Sequence, residues 1–165
     1  MKRIRSNTTN YNKCEIIIRP DSKIKSRQWW NKQYSKIRNS LLKSLIKKEI
    51  AYLTKKCSIT LLITNNKEIL KLNKRFRNKN EPTDVLSFHL NKKEQIKNNY
   101  LGDIVISLDK AKEESQKKKI KLEDELKMLL IHGYLHLLGY DHKQDNDARL
   151  MFGIQSKILK DIFEK

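Results

Sequence analysis

The sequence predicts an α+β fold: a small mixed sheet covered by helices, with one buried helix at its centre. Three observations lead there. Short β-branched or aliphatic runs bounded by turn residues occur four times. Stretches with apolar residues at steps of three and four separate and follow them. One stretch, 122–138, is apolar nearly all round, the mark of a buried helix rather than a surface one. The order strand, helix, strand, helix, two strands, then helices fits an α+β arrangement.

Residues 15–19 carry Ile16-Ile17-Ile18, stopped by Pro20-Asp21-Ser22, and form the first strand. Over 23–55 the pattern turns helical, with Trp30, Tyr34, Ile37, Leu41, Leu45, Ile46 and Ile50 on one side. That length suits one long helix or two. Trp29 and Trp30 can offer a stacking surface for bases, although a tryptophan at helical spacing usually belongs to a core. A second strand covers 57–64, and a helix over 67–77 turns Ile69, Leu72 and Phe76 inward. The polar loop 78–83 leads into a third strand, 84–88. Residues 91–99 are polar and charged and read as the flexible loop of a hairpin between the third strand and the fourth, 101–108. A short charged helix over 109–118 precedes the buried helix. A last helix, capped by Asp145 or Asn146, buries Met151, Ile154, Ile158 and Ile162. Nothing divides the chain, so 1–165 reads as one domain, with 1–13 a loose basic arm.

The formal net charge is +18, and it is uneven: residues 1–60 hold 16 basic and 3 acidic side chains, the remainder 21 and 16. Such an excess attracts polyanions, nucleic acid first. The richness in Lys, Asn and Ile also fits A- and T-rich codons, so the charge supports that reading without carrying it. Cys14 and Cys57 form no C-x-x-C pair and read as reduced thiols. With no apolar region behind the basic start and no long apolar run, a soluble cytoplasmic protein with no membrane partner is expected.

The buried stretch also holds the chemistry. His132 and His136 are one helical turn apart, about 6 Å along the axis, so both imidazoles leave the same face. Gly139 suits the left-handed residue that ends a helix, letting the chain turn back and bring in His142. One histidine on an apolar face is usually a satisfied core residue. Two buried a turn apart need partners, and one shared ion satisfies both. Three imidazoles from a helix and the following turn make a tripod for Zn²⁺ with a fourth position open to water, the catalytic arrangement. The spacing matches the metzincin ligand pattern, except that Gly133 stands where those proteases carry their general-base glutamate. A zinc hydrolase survives that departure better than a protease does.

Two further stretches join the histidines in one resemblance. His132-Gly-Tyr-Leu-His136-Leu-Leu-Gly-Tyr-Asp-His142 resembles the H-G-x-L-H-L-x-G-Y-D-H signature of the bacterial YbeY endoribonucleases. Leu72-Asn-Lys-Arg-Phe-Arg77 through Asp84-Val-Leu-Ser-Phe88 is similar to the family's second block, and Leu101-Gly-Asp-Ile-Val-Ile to its L-G-D-[IV]-x-I strand. The resemblance implies a mixed sheet of about four strands and a single-strand-specific metal-dependent RNase. It implies roles in small-subunit ribosomal RNA 3′-end maturation and ribosome quality control, with single-stranded RNA, ribosomal RNA and the ribosome or its small subunit as partners. It also implies one Zn²⁺ held by His132, His136 and His142, and a functional arginine at Arg77.

On that reading Arg77 binds the scissile phosphate as a bidentate guanidinium can, whereas the residue alone is an ordinary solvated helix-end arginine. Arg75 stands close enough in sequence to share the task. Asp141 either orients a histidine from behind or caps the turn. Ser87 and His89 end a strand and can face the cleft, and the general base is not identified. Two rivals stand beside the nuclease. One is a zinc metalloprotease-like hydrolase; the other is a non-catalytic zinc protein that binds ribosomal RNA.

Overall fold

The computed structural model describes residues 14–18, 26–44 and 48–163. Strands form where the β-branched runs lie: β1 (Cys14–Ile18), β2 (Ser58–Thr64), β3 (Val85–His89) and β4 (Tyr100–Ser107). They make one mixed sheet in the order β1-β2-β4-β3, with β1, β2 and β4 parallel and β3 antiparallel to β4. Parallel neighbours cannot be joined by tight turns. Helices α1 (Arg27–Ser44) and α2 (Lys48–Lys56) accordingly fill the β1–β2 connection, and α3 (Asn66–Arg77) follows β2. The helical pattern over 23–55 is therefore two helices, with 1–13 and 45–47 outside the described residues.

Alternation along the strands sorts side chains to two faces. Ile59, Leu61 and Ile63 of β2 and Ile104 and Ile106 of β4 enter the main core. There they meet Trp30, Tyr34, Ile37 and Leu41 of α1 and the apolar sides of α6 (Leu122–Leu137) and α7 (Asp145–Phe163). Leu62, Leu86 and Val105 turn to the other face, under Ile69 and Leu72 of α3. Trp30 is fully buried and meets the half-buried Trp29 edge-on at 4.9 Å, so the pair serves the core rather than a base-stacking surface.

Residues 91–99 correct the sequence reading. They are not a flexible loop but hold a helix, α4 (Lys92–Asn98), capped by the Asn91 side chain and ended by Asn99 at φ 48°. The β3–β4 pair is antiparallel, as the hairpin expectation required. Periodicity missed the helix because the residue it buries is polar. Gln95 is only 3% exposed and donates from Nε2 to the carbonyls of Leu101 (3.2 Å) and Leu137 (2.9 Å). The second of these satisfies a carbonyl that the end of α6 leaves without an intrahelical donor.

α5 (Leu108–Lys118) forms as expected, and its last residue pairs with α6: Lys118 Nζ lies 2.7 and 2.9 Å from the carboxylate oxygens of the fully buried Glu125. α7 begins at Asp145 itself and buries Met151, Ile158 and Ile162, with Ile154 half-buried.

α6 lies against the sheet at unusually close range. A Cβ on Gly133 would stand 2.9 Å from Ile104 Cγ2 and 3.1 Å from Ser87 Oγ. Ser87 donates its hydroxyl proton to the Gly133 carbonyl at 3.2 Å. The position that lacks a glutamate is thus the point where helix backbone meets strand. Gly153 in α7, by contrast, is exposed with no neighbouring atom within 4 Å of an added Cβ.

The two glycines should respond oppositely to substitution. Gly133→Val overpacks the contact and is expected to lower stability to urea by about 1–3 kcal/mol. Gly153→Ala should raise it by up to about 1 kcal/mol through helix propensity alone. A valine variant as stable as the parent would mean that α6 does not approach the sheet this closely.

Candidate metal centre

α6 carries His132 and His136 on its half-buried side. Just beyond them the chain reverses through a hydrogen-bonded stop. Leu138 closes the helix, the N–H of Gly139 reaches the His136 carbonyl at 3.0 Å, and the N–H of Tyr140 reaches the Leu135 carbonyl at 3.1 Å. Gly139 adopts φ 90°, a conformation that excludes most side chains. This stop returns His142 over the face of the two helical histidines. The three ring centroids form a near-equilateral triangle with sides of 4.7, 5.1 and 5.3 Å.

Hydrogen bonds from behind determine which nitrogens face inward. The Tyr140 carbonyl can only accept, so His136 carries its proton on Nδ1 and donates it over 2.9 Å. His132 Nδ1 donates to Oε1 of Gln155 on α7 at 3.1 Å. Both Nε2 atoms are left bare, and they face each other 3.1 Å apart. Two lone pairs at that distance repel unless a proton or a cation lies between them.

One ligand nitrogen from each of His132, His136 and His142 lies within 4.8 Å of the others. An ion binding imidazoles at about 2.0–2.1 Å spaces tetrahedral ligands about 3.3 Å apart, close to the Nε2 separation found here. The residues therefore fit a divalent ion that favours imidazole.

Electrostatics points the same way. Burial, followed by the neighbouring His132 and His142 rings, brings His136 down from 6.5 to about 4. Burial also lowers His132, with the Gln155 hydrogen bond and the Asp84 carboxylate opposing it. Both rings are neutral at pH 7, as metal ligands must be.

The other expected residues are placed as follows. Asp141 Oδ1 accepts the main-chain N–H of His142 at 2.8 Å, and Oδ2 lies 3.1 Å from Lys143 Nζ. The His142 N–H and then the Lys143 ammonium hold its carboxyl below the ordinary value. It holds the backbone of the turn, and its charge is also felt at the His136 ring. Arg77 is exposed at the end of α3, where Asn78 takes φ 56°. The buried Asn73 anchors the following loop by donating to the Glu81 carbonyl at 2.8 Å. That loop runs to Asp84, the residue whose charge is felt at His132. Arg75 lies 5.3 Å from the centre of the Phe76 ring. Ser87 is committed to Gly133, and His89 is exposed at the strand end, with Nδ1 3.4 Å from the Leu90 carbonyl.

Gln155 and Phe152 were not legible as site residues. Both come from α7, and no spacing in the sequence couples that helix to α6.

The chain matches the family model described as Endoribonuclease YbeY over residues 21–163. It is 43% identical over 140 residues to "Endoribonuclease YbeY" of Pelagibacter ubique (strain HTCC1062), covering 82% of this chain and 91% of that one. The corresponding protein of Sulfurihydrogenibium sp. (strain YO3AOP1) is 41% identical over 139 residues, with the same coverage. Among solved structures, the solution structure of TM1509 from Thermotoga maritima matches with a TM-score of 0.57 and 26% identity, over 90% of this chain and 89% of that one.

Two measurements check the geometry. In metal-free protein the His136 ring should titrate near pH 4 by NMR. Because its folded value lies below the unfolded 6.5, stability is full above that value. It should then decline as the pH falls from about 6.5 towards 4, where the unfolded chain binds the extra proton. A ring titrating at 6.5 would show it to be solvated and unheld. Separately, Gln155→Ala should weaken metal binding about 10- to 100-fold in a chelator competition, as losses of partners behind a ligand do. Unchanged affinity would remove Gln155 from the centre.

Proposed function

The chain belongs to the YbeY endoribonuclease family, and from that premise we propose that it is a metal-dependent endoribonuclease cutting single-stranded RNA. Its substrate on this reading is ribosomal RNA, at the 3′ end of the small-subunit species, with a further part in ribosome quality control. The working unit is a single domain over 1–165, acting in the cytoplasm on the ribosome or its small subunit. Among the described residues no helix is long and apolar enough to cross a membrane. The net charge of +18 favours a polyanionic substrate.

The observation that carries the reading is the pair of bare Nε2 atoms 3.1 Å apart beneath a third imidazole on an exposed turn. His132, His136 and His142 would hold one Zn²⁺. Such an ion supplies Lewis acidity toward a phosphoryl oxygen and makes water more acidic. The chain's own residues do the rest. The Tyr140 carbonyl and Gln155 keep the Nδ1 protons in place and the Nε2 lone pairs aimed inward. Asp141 holds the main chain of the turn that presents His142. Arg77 binds the scissile phosphate and stabilises the charge that gathers on it, and the anchored loop after it leads to the strand packed on α6.

The test couples metal analysis to cleavage of single- and double-stranded RNA. Wild-type protein should carry about one zinc per chain and cut the single strand, and a chelator should stop it. His136→Ala should lose both metal and activity. Arg77→Glu should keep the fold and the metal yet lose about two or more orders of magnitude in kcat, as removal of a group that stabilises transition-state charge does. Wild-type-like cutting by that variant would exclude Arg77 from the reaction. Folded, metal-loaded protein that cuts no RNA would instead favour a binding role.

A further inference from the structure

Beside the histidines lies an aromatic ring that the fold does not use. Phe152 is on α7, away from the buried Met151, Ile158 and Ile162, and is 45% exposed. Its plane lies within 16° of the His142 ring at 5.7 Å and within 23° of His132 at 6.4 Å. The ring thus lies nearly parallel to two of the three imidazoles at the solvent side of the site. It also lines a shallow depression with Asp145, Ala148, Arg149, Gly153 and Ser156.

Leaving a phenylalanine nearly half in water forgoes nearly half of what full burial would contribute. Gly153 adds a second unspent feature: a helix-weakening residue whose missing side chain makes room for nothing in this chain. Together they leave a flat apolar surface, an open stretch of helix and one guanidinium at the edge of the metal centre. A protein partner docked by the hydrophobic effect would want a broad apolar patch. Here one ring sits among Arg149, Gly153 and Ser156, a composition suited to a planar base followed by a phosphate.

We propose that Phe152 is the stacking platform for a nucleobase of single-stranded RNA next to the scissile phosphate, with Arg149 taking a flanking phosphate. This rests on the nuclease reading and deepens it. Only an unpaired base can be turned out onto such a ring, so the platform also contributes to rejecting duplex RNA. Arg149 is held one turn from the helix start, its Nη2 donating to Asn146 Oδ1 at 2.8 Å. Asp145 lines the same depression one turn before Arg149 and disfavours a second phosphate beside it, so a single phosphate at Arg149 suits the surface.

The experiment measures binding of a labelled, cleavage-resistant 2′-O-methyl phosphorothioate single strand to zinc-loaded protein by fluorescence anisotropy. Phe152→Ala should weaken binding about tenfold with unchanged zinc content, while Phe152→Trp should retain it and show indole quenching on binding. On cleavable RNA the alanine variant should raise KM while leaving kcat within about twofold, since stacking acts on bound substrate throughout. A strand with one abasic position should lose affinity for wild type but lose nothing further for Phe152→Ala. Phe152→Ala protein that binds like wild type, or additive losses from variant and abasic site, overturns the platform. Wild-type protein that binds the strand but cuts no RNA would defeat the nuclease reading, and the binding comparison would still decide the platform.

Discussion

The structure turns on two imidazole nitrogens aimed at one point. His132 and His136 face each other through unprotonated Nε2 atoms because each ring has already spent its proton on an oxygen behind it. In a half-buried setting neither nitrogen readily picks up charge, since burial opposes protonation of both rings. A buried polar group without a partner destabilises the fold, and two opposed ones do so more. A cation relieves both at once. Much of the surrounding architecture serves to keep those two nitrogens where a cation suits them.

Three constraints converge on that pair. Gly133 lets the helix backbone settle against Ile104 and Ser87, so α6 sits low on the sheet with its histidine side turned outward. Gly139 allows the left-handed turn that brings Tyr140's carbonyl under His136 and returns His142. α4 then closes the end of α6, where Gln95 takes a carbonyl that would otherwise be buried and unpaired. Each is a backbone matter. The glycine that replaces a protease's glutamate therefore serves packing, and the general base that chemistry would ask of that position is absent for a geometric reason.

The surface divides along similar lines. α3 ends in exposed basic residues and an exposed Phe76 that meets Phe88 edge-on at 5.2 Å, on the sheet face opposite α6. α7 brings Gln155 to the back of one ligand and Phe152 to the rim of the site. The loop from Arg77 to Asp84 links the α3 side to the strand that α6 packs upon, and the buried Asn73 anchors it from within.

How much of this was readable beforehand depends on the range of the interaction. The four strands, the buried helix, the stop at Gly139 and the convergence of His132, His136 and His142 follow from neighbours within a turn or two, so spacing and residue type sufficed. The helix at 92–98 escaped because its inward residue is a glutamine, which hydropathy scores as surface. Asp141's hold on the main chain and the division of the long helical stretch needed coordinates to choose between options that the residues left open. Gln155, Phe152 and the role of Gly133 depended wholly on tertiary structure. Local chemistry decided which residues can bind an ion; the packing of α6 against the sheet and α7 decided which nitrogen of each ring faces it and what borders the opening. Such contacts join segments far apart in the chain, and no periodicity records them.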